Sequence, residues 1–115
     1  MSEAFDKSSR LLKSADFGHV FSNGPRKHGK YFLVVFYANE LGYARLGIAV
    51  SRKVSKKAVV RNRIKRQIRE SFRLNKELLS GMDCVVVAKF SAATVTQPVL
   101  RSSIDTHWRK ISENA

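Results

Sequence analysis

Val60, Ile64, Ile68 and Phe72 recur every four residues inside the most basic stretch of the chain. That spacing puts four apolar side chains on one stripe of an α-helix. A helix built this way docks by one side only and turns its remaining residues outward. The periodicity predicts a helix from about Lys56 to Asn75. On a helical wheel, Asn62, Lys65, Arg66, Arg69 and Arg73 share the face away from the stripe, with Arg61 at its border. Arg63 and Glu70 stand together on the other flank.

Charge makes that outward face unusual. Between Arg45 and Lys76 there are twelve lysines and arginines and a single acid, Glu70, within a chain whose 22 basic and 9 acidic residues give +13. A merely solvated helix face mixes signs, because opposite charges at i,i+4 stabilise it. Such self-repulsion is relieved by an anionic partner, and nucleic acid is the first candidate. An anionic membrane surface or an acidic protein are the others. Arginine offers a planar fork of donors to phosphate, and lysine a point charge. Asn62 can address a base edge or a sugar hydroxyl. Lys53, Lys56 and Lys57 extend the cationic surface past the helix start, where unpaired backbone N–H groups also attract anions.

The rest of the chain predicts an α+β fold: one small sheet of about four strands packed with three helices. At 115 residues it fits a single domain, residues 1–115, with 1–12 expected to form a flexible basic arm. Ser14 is the expected cap of a short helix with Asp16 in its first turn and Phe17, Val20 and Phe21 on one face. The aromatic and β-branched run Tyr31 to Tyr37 does not alternate, so it reads as a strand covered on both faces, with a short strand near Arg26 to Lys30 before it. Arg45 to Ser51 alternates and reads as the next, antiparallel strand. Ser80 to Asp83 reads as a loop and Cys84 to Lys89 as a buried strand. Pro98 suits the first turn of a last helix, with Leu100, Ile104, Trp108 and Ile111 as its stripe.

Other chemistries find little support in the residues. Cys84 is the only cysteine and lies in an apolar run, so it is expected in the core, and a chain without a disulfide suits the cytosol. No export signal is expected at the acid-bearing N-terminus, and no apolar run approaches the ~20 residues of a membrane span. His19, His28 and His107 lack metal-ligand spacing. No carboxylate cluster suggests a two-metal nuclease site. The helix-turn-helix, zinc-finger and zipper patterns of DNA readers are missing too. The residues therefore favour an RNA-binding domain and predict no catalytic or metal-binding residue.

The run Arg61-Asn62-Arg63-Ile64-Lys65-Arg66-Gln67-Ile68-Arg69-Glu70 resembles the arginine-asparagine-arginine motif of the bacterial ribonuclease P protein family. The lead-in Arg45-Leu46-Gly47-Ile48-Ala49-Val50-Ser51 with Arg52-Lys53 and Ala58 is similar as well. So are Asp16-Phe17 with Val20-Phe21, Asp83 before a strand ending in Ala88-Lys89, and a late helix with Trp108. The resemblance spans roughly residues 10 to 111, and the central run is its most specific part.

It implies a protein subunit that binds the catalytic ribonuclease P RNA and the 5′ leader of precursor tRNA, and so assists endonucleolytic removal of the leader. Catalysis would be carried by the RNA subunit and its bound Mg²⁺, in a cytoplasmic heterodimer of one protein and one RNA, with neither DNA nor membrane as partner. Lys53, Lys56, Arg61, Asn62, Arg63, Lys65, Arg66 and Arg69 would contact the RNA subunit. Phe17, Phe21 and Lys89 would line a separate cleft for the leader. The resemblance also implies a left-handed crossover for the strand-helix-strand unit from Arg45 to Lys89, against the general right-handed rule. Phe90 departs from the pattern, standing where a second basic residue is expected. From the residues alone, Phe17 and Phe21 read first as core packing of an amphipathic helix, and the resemblance reverses that preference. A ribosomal protein of similar fold remains the alternative function.

Overall fold

The computed structural model describes residues 13–114; the expected arm over residues 1–12 lies outside them. Helix α1 (Ser14–Asn23) is followed by strands β1 (Arg26–His28), β2 (Phe32–Ala38) and β3 (Arg45–Ala49), helix α2 (Ala58–Asn75), strand β4 (Met82–Ala88), a 3₁₀ turn (Phe90–Thr94) and helix α3 (Gln97–Asn114). Among the described residues the expected α+β class, four strands and three α-helices are all present. The 3₁₀ turn has no periodic signature in the sequence.

Ser14 is the first helical residue of α1 and Lys13 takes the cap position, one residue before the expected cap. Asp16 does fall in the first turn. The helix ends where the Gly24 amide bonds the Val20 carbonyl at 2.8 Å. A side chain at residue 24 would begin 2.3 Å from the Phe36 carbonyl oxygen, so only glycine lets the chain pass this close to β2.

The strand order is β1-β2-β4-β3, with β2 antiparallel to both β1 and β4, and β3 parallel to β4. This corrects the expectation that β3 pairs with β2 as the next antiparallel strand. The reason is burial. Asp83 to Val86 are all buried, and such a strand needs neighbours on both edges and cover on both faces. It therefore takes the interior position, and α2 becomes the crossover that joins parallel β3 and β4. β4 also starts at Met82, earlier than the expected Cys84, because Asp83 pairs in register with both Tyr37 and Arg45.

The two faces of the sheet are covered differently. On one, Phe32, Val34, Phe36, Leu46, Cys84 and Val86 meet Ile64, Ile68 and Phe72 of α2 and the α3 stripe Leu100, Ile104, Trp108 and Ile111. Each such side chain contributes roughly 1.5–3 kcal/mol on burial. Val60, the first member of the α2 stripe, is only half-buried. The Trp108 and Phe72 rings meet edge to face at 5.9 Å. Trp108 Nε1 donates to Ser71 Oγ at 2.8 Å, and Ser71 donates onward to Asp105, so the buried indole N–H is satisfied. On the other face, Val20 of α1 packs on Val35 and Val85, with Phe17, Phe21, Leu33 and Val87 half-buried around them.

Candidate nucleic-acid interface

Docking α2 through Ile64, Ile68 and Phe72 leaves its opposite side in solvent. Asn62, Arg66, Arg69, Glu70 and Arg73 together line a shallow depression of about 450 Å³ there. Asn62, Arg66 and Arg69 are exposed, and no carboxylate pairs with Arg66 or Arg69 among the described residues. Arg73 does pair with Glu70, three residues earlier. That hydrogen bond chiefly holds the Glu70 carboxyl below its ordinary range, with the Arg73 and Arg101 charges adding to it. Glu70 thus bounds the ridge on the α3 side without reaching its two free guanidinium groups.

The remaining basic residues divide. Arg61 is half-buried and donates to the Ser55 carbonyl at 2.8 Å, so it braces the segment before the helix. Lys53 and Lys56 are exposed in that segment, while Arg63 and Lys65 are half-buried on the flanks of α2. The α2 N-terminus has no side-chain cap and no acid in its first turn. Its partial positive charge therefore adds to that of the lysines beside it.

Arg45, by contrast, leaves the cationic surface. It makes a two-pronged contact with Asp83, both hydrogen bonds at 2.8 Å, and its third nitrogen reaches Asp16 at 3.3 Å. Asn39 supplies a further donor to Asp83 at 2.8 Å. The Asp83 hydrogen bond is the main reason the Arg45 pKa is raised. Counting Arg45 within the basic stretch overstated the charge available to a partner, because its two carboxylates lie far away in sequence.

On the α1 side, Phe17 and Phe21 stack with centroids 6.4 Å apart. Arg26 lies over the Phe21 ring at 4.5 Å and donates to the Phe21 carbonyl at 2.7 Å. Sequence reasoning missed Arg26, since nothing in a helical pattern reports a residue beyond the turn that ends it. Lys89 follows β4 next to the Leu33–Val87 end of this face, and its ammonium donates to the Gly29 carbonyl at 2.7 Å. His19 meets the Tyr37 ring edge-on, His28 is exposed and His107 is buried. Among the described residues no group of three His, Cys, Asp or Glu could hold a metal ion. Cys84 is buried, and burial pushes its thiol well above the ordinary range. None of the described helices is long and apolar enough to cross a membrane.

A covered sheet that presents one helix with an exposed, uncompensated row of donors defines a small α+β protein built to bind RNA. Comparison with known proteins gives the family. The family model described as Ribonuclease P matches residues 5–112. The chain is 42% identical to the ribonuclease P protein component of Methylococcus capsulatus over 90% of its own length and 81% of that protein. To the ribonuclease P protein component of Idiomarina loihiensis it is 40% identical, over 96% and 89%. The structure of the Staphylococcus aureus RNase P protein superposes with a TM-score of 0.83 at 36% identity, covering 93% of this chain and 97% of that one. The RNase P protein from Thermotoga maritima gives 0.78 at 34%, covering 89% and 96%. The chain belongs to the bacterial ribonuclease P protein family.

Proposed function

We propose that this ribonuclease P protein component meets its RNA subunit through the outward face of α2 and holds the precursor tRNA leader against α1 and the sheet. The protein binds RNA and assists the endonucleolytic removal of the tRNA 5′ leader within the ribonuclease P holoenzyme. The observation that carries the α2 assignment is the exposure of Arg66 and Arg69 without a carboxylate partner among the described residues. Guanidinium groups in this state are ready for phosphate, and Asn62 beside them can read a base edge or a 2′-hydroxyl. Arg61, Arg63 and Lys65 flank that face, and Lys53 and Lys56 carry the contact past the helix start.

The leader surface is formed by Phe17 and Phe21, with Lys89 supplying charge at the same end of the sheet. Aromatic ring faces stack on unpaired bases of any sequence, at ~1–3 kcal/mol per base. Mg²⁺ belongs with the RNA subunit in this reading. The described carboxylates near these surfaces are committed elsewhere, Asp16 and Asp83 to Arg45 and Glu70 to Arg73, which leaves none of these three for a resident ion. The working unit is one protein, acting as a single domain over residues 1–115, with one RNA in the cytoplasm.

The test is reconstitution. Added to a bacterial ribonuclease P RNA at low Mg²⁺, the protein is expected to restore leader cleavage. The double variant Phe17→Ala, Phe21→Ala is expected to bind leader-bearing precursor about tenfold more weakly while sparing mature tRNA. Equal loss on both substrates contradicts the leader role and returns the two rings to packing alone.

A further inference from the structure

A second concave surface, sharing no residue with either of those above, opens between α3 and the β1–β2 turn, with a volume of about 690 Å³. One wall is the α3 face next to its core stripe, carrying Val99, Ser102 and Ser103. The other carries Lys27, Lys30 and Tyr31. The alternation of β1 explains the split, because Arg26 turns to Phe21 and α1 while Lys27 turns to this cleft. Among the described residues no carboxylate lines it.

The cleft is preformed. The backbone at Gly29 lies so close to the buried His107 that a Cβ there would sit 2.5 Å from the ring Nε2. The turn is latched from the far end of β4 by the Lys89 ammonium on the Gly29 carbonyl and by Ser91 Oγ on the Lys30 carbonyl at 2.6 Å. His107, at 6% exposure, is buried along this cleft and its Nδ1 has no partner among the described residues. Tyr31, Pro98 and Val99 give the slot an apolar lining. Lysines, serine hydroxyls and an apolar slot in one rigid cleft match the parts of a nucleotide. The volume lies within the ~300–1,000 Å³ typical of small-ligand sites.

We propose that this cleft seats an unpaired nucleotide of the RNA subunit, with its base between Tyr31 and Val99, its phosphate at Lys27 and Lys30, and its ribose facing Ser102 and Ser103. The RNA subunit is the source because α3 lies in the same layer as α2, whereas Phe17 and Phe21 occupy the opposite face of the sheet. The assignment rests on the reading of α2 as the RNA-subunit face. It adds a contact beyond α3, at the β1 side of the sheet, so the two sites hold separate segments of one folded RNA.

Two variants test it: Lys27→Gln with Lys30→Gln, and Val99→Glu. The second places a carboxylate at the cleft in the first turn of α3, where the helix dipole tolerates it while RNA phosphate does not. Each is compared with wild type and with Arg66→Ala for affinity to the RNA subunit and for 2′-hydroxyl acylation of the bound RNA, with thermal unfolding as the folding control. Both cleft variants are expected to weaken affinity about fivefold to tenfold. Both are also expected to release protection at one or two unpaired nucleotides that Arg66→Ala leaves protected. Wild-type affinity and protection in both cleft variants, with Arg66→Ala impaired, overturn the cleft alone. If Arg66→Ala also binds normally, the α2 assignment falls with it. A loss confined to leader-bearing precursor overturns the RNA subunit as occupant.

Discussion

Desolvation governs the one histidine inside the fold. Burial, followed by the nearby Lys110 and Lys89 charges, lowers the His107 pKa to about 4. Between there and its ordinary value of 6.5, the unfolded chain takes up a proton that the folded protein refuses. The His107 contribution is therefore complete above about pH 6.5 and is lost as pH falls toward 4. At ~1.4 kcal/mol per unit, the loss across that window is on the order of 2–3 kcal/mol. Denaturant unfolding at pH 7.5 and 4.5 is expected to show it in wild type and not in His107→Leu; equal pH dependence of the two proteins contradicts the assignment. The sequence showed of His107 only that it lacks metal-ligand spacing, because its neighbours come from the β1–β2 turn and the end of β4.

Elements are joined here by polar contacts as well as by cores. Asp16 of α1, Arg45 of β3 and Asp83 of β4 form one network, in which the Arg45 and Asp83 side chains are 19% and 6% exposed. Asp83→Ala removes the two-pronged partner and leaves a half-buried guanidinium held only by Asp16. Its expected cost is about 2–4 kcal/mol of unfolding free energy, with Asp83→Asn costing less because an acceptor remains. A change below ~0.5 kcal/mol for Asp83→Ala would show that the network does not tie α1 to the sheet. At this scale, legibility followed locality. The stripes of α2 and α3 and the two-sided burial of β2 could be read from spacing, because each element's own periodicity reports its buried face. The order β1-β2-β4-β3 could not, because pairing is decided by which strand needs cover on both edges. The fate of Arg45 was equally hidden, since two distant carboxylates remove it from the surface that Arg66 and Arg69 keep.

Across the whole molecule, the sheet separates two surfaces of different chemistry. The layer of α2 and α3 carries the exposed arginine ridge, while the layer of α1 carries the stacked aromatic pair. A net charge of +13 opposes compaction and at the same time favours association with RNA. The candidate site was legible where it depended on one helix, as for Asn62, Arg66 and Arg69. It was not legible where it depended on contacts between elements, as for Arg26 over Phe21. Equilibrium binding of the RNA subunit as a function of salt tests the central claim most directly. Each phosphate neutralised contributes about −0.7 to −0.9 to the log–log slope. The double variant Arg66→Ala, Arg69→Ala is expected to flatten that slope by about one to two and to weaken binding at least about tenfold, with thermal unfolding unchanged. A variant that keeps both the wild-type affinity and the wild-type slope would contradict an RNA-binding role for the outward face of α2.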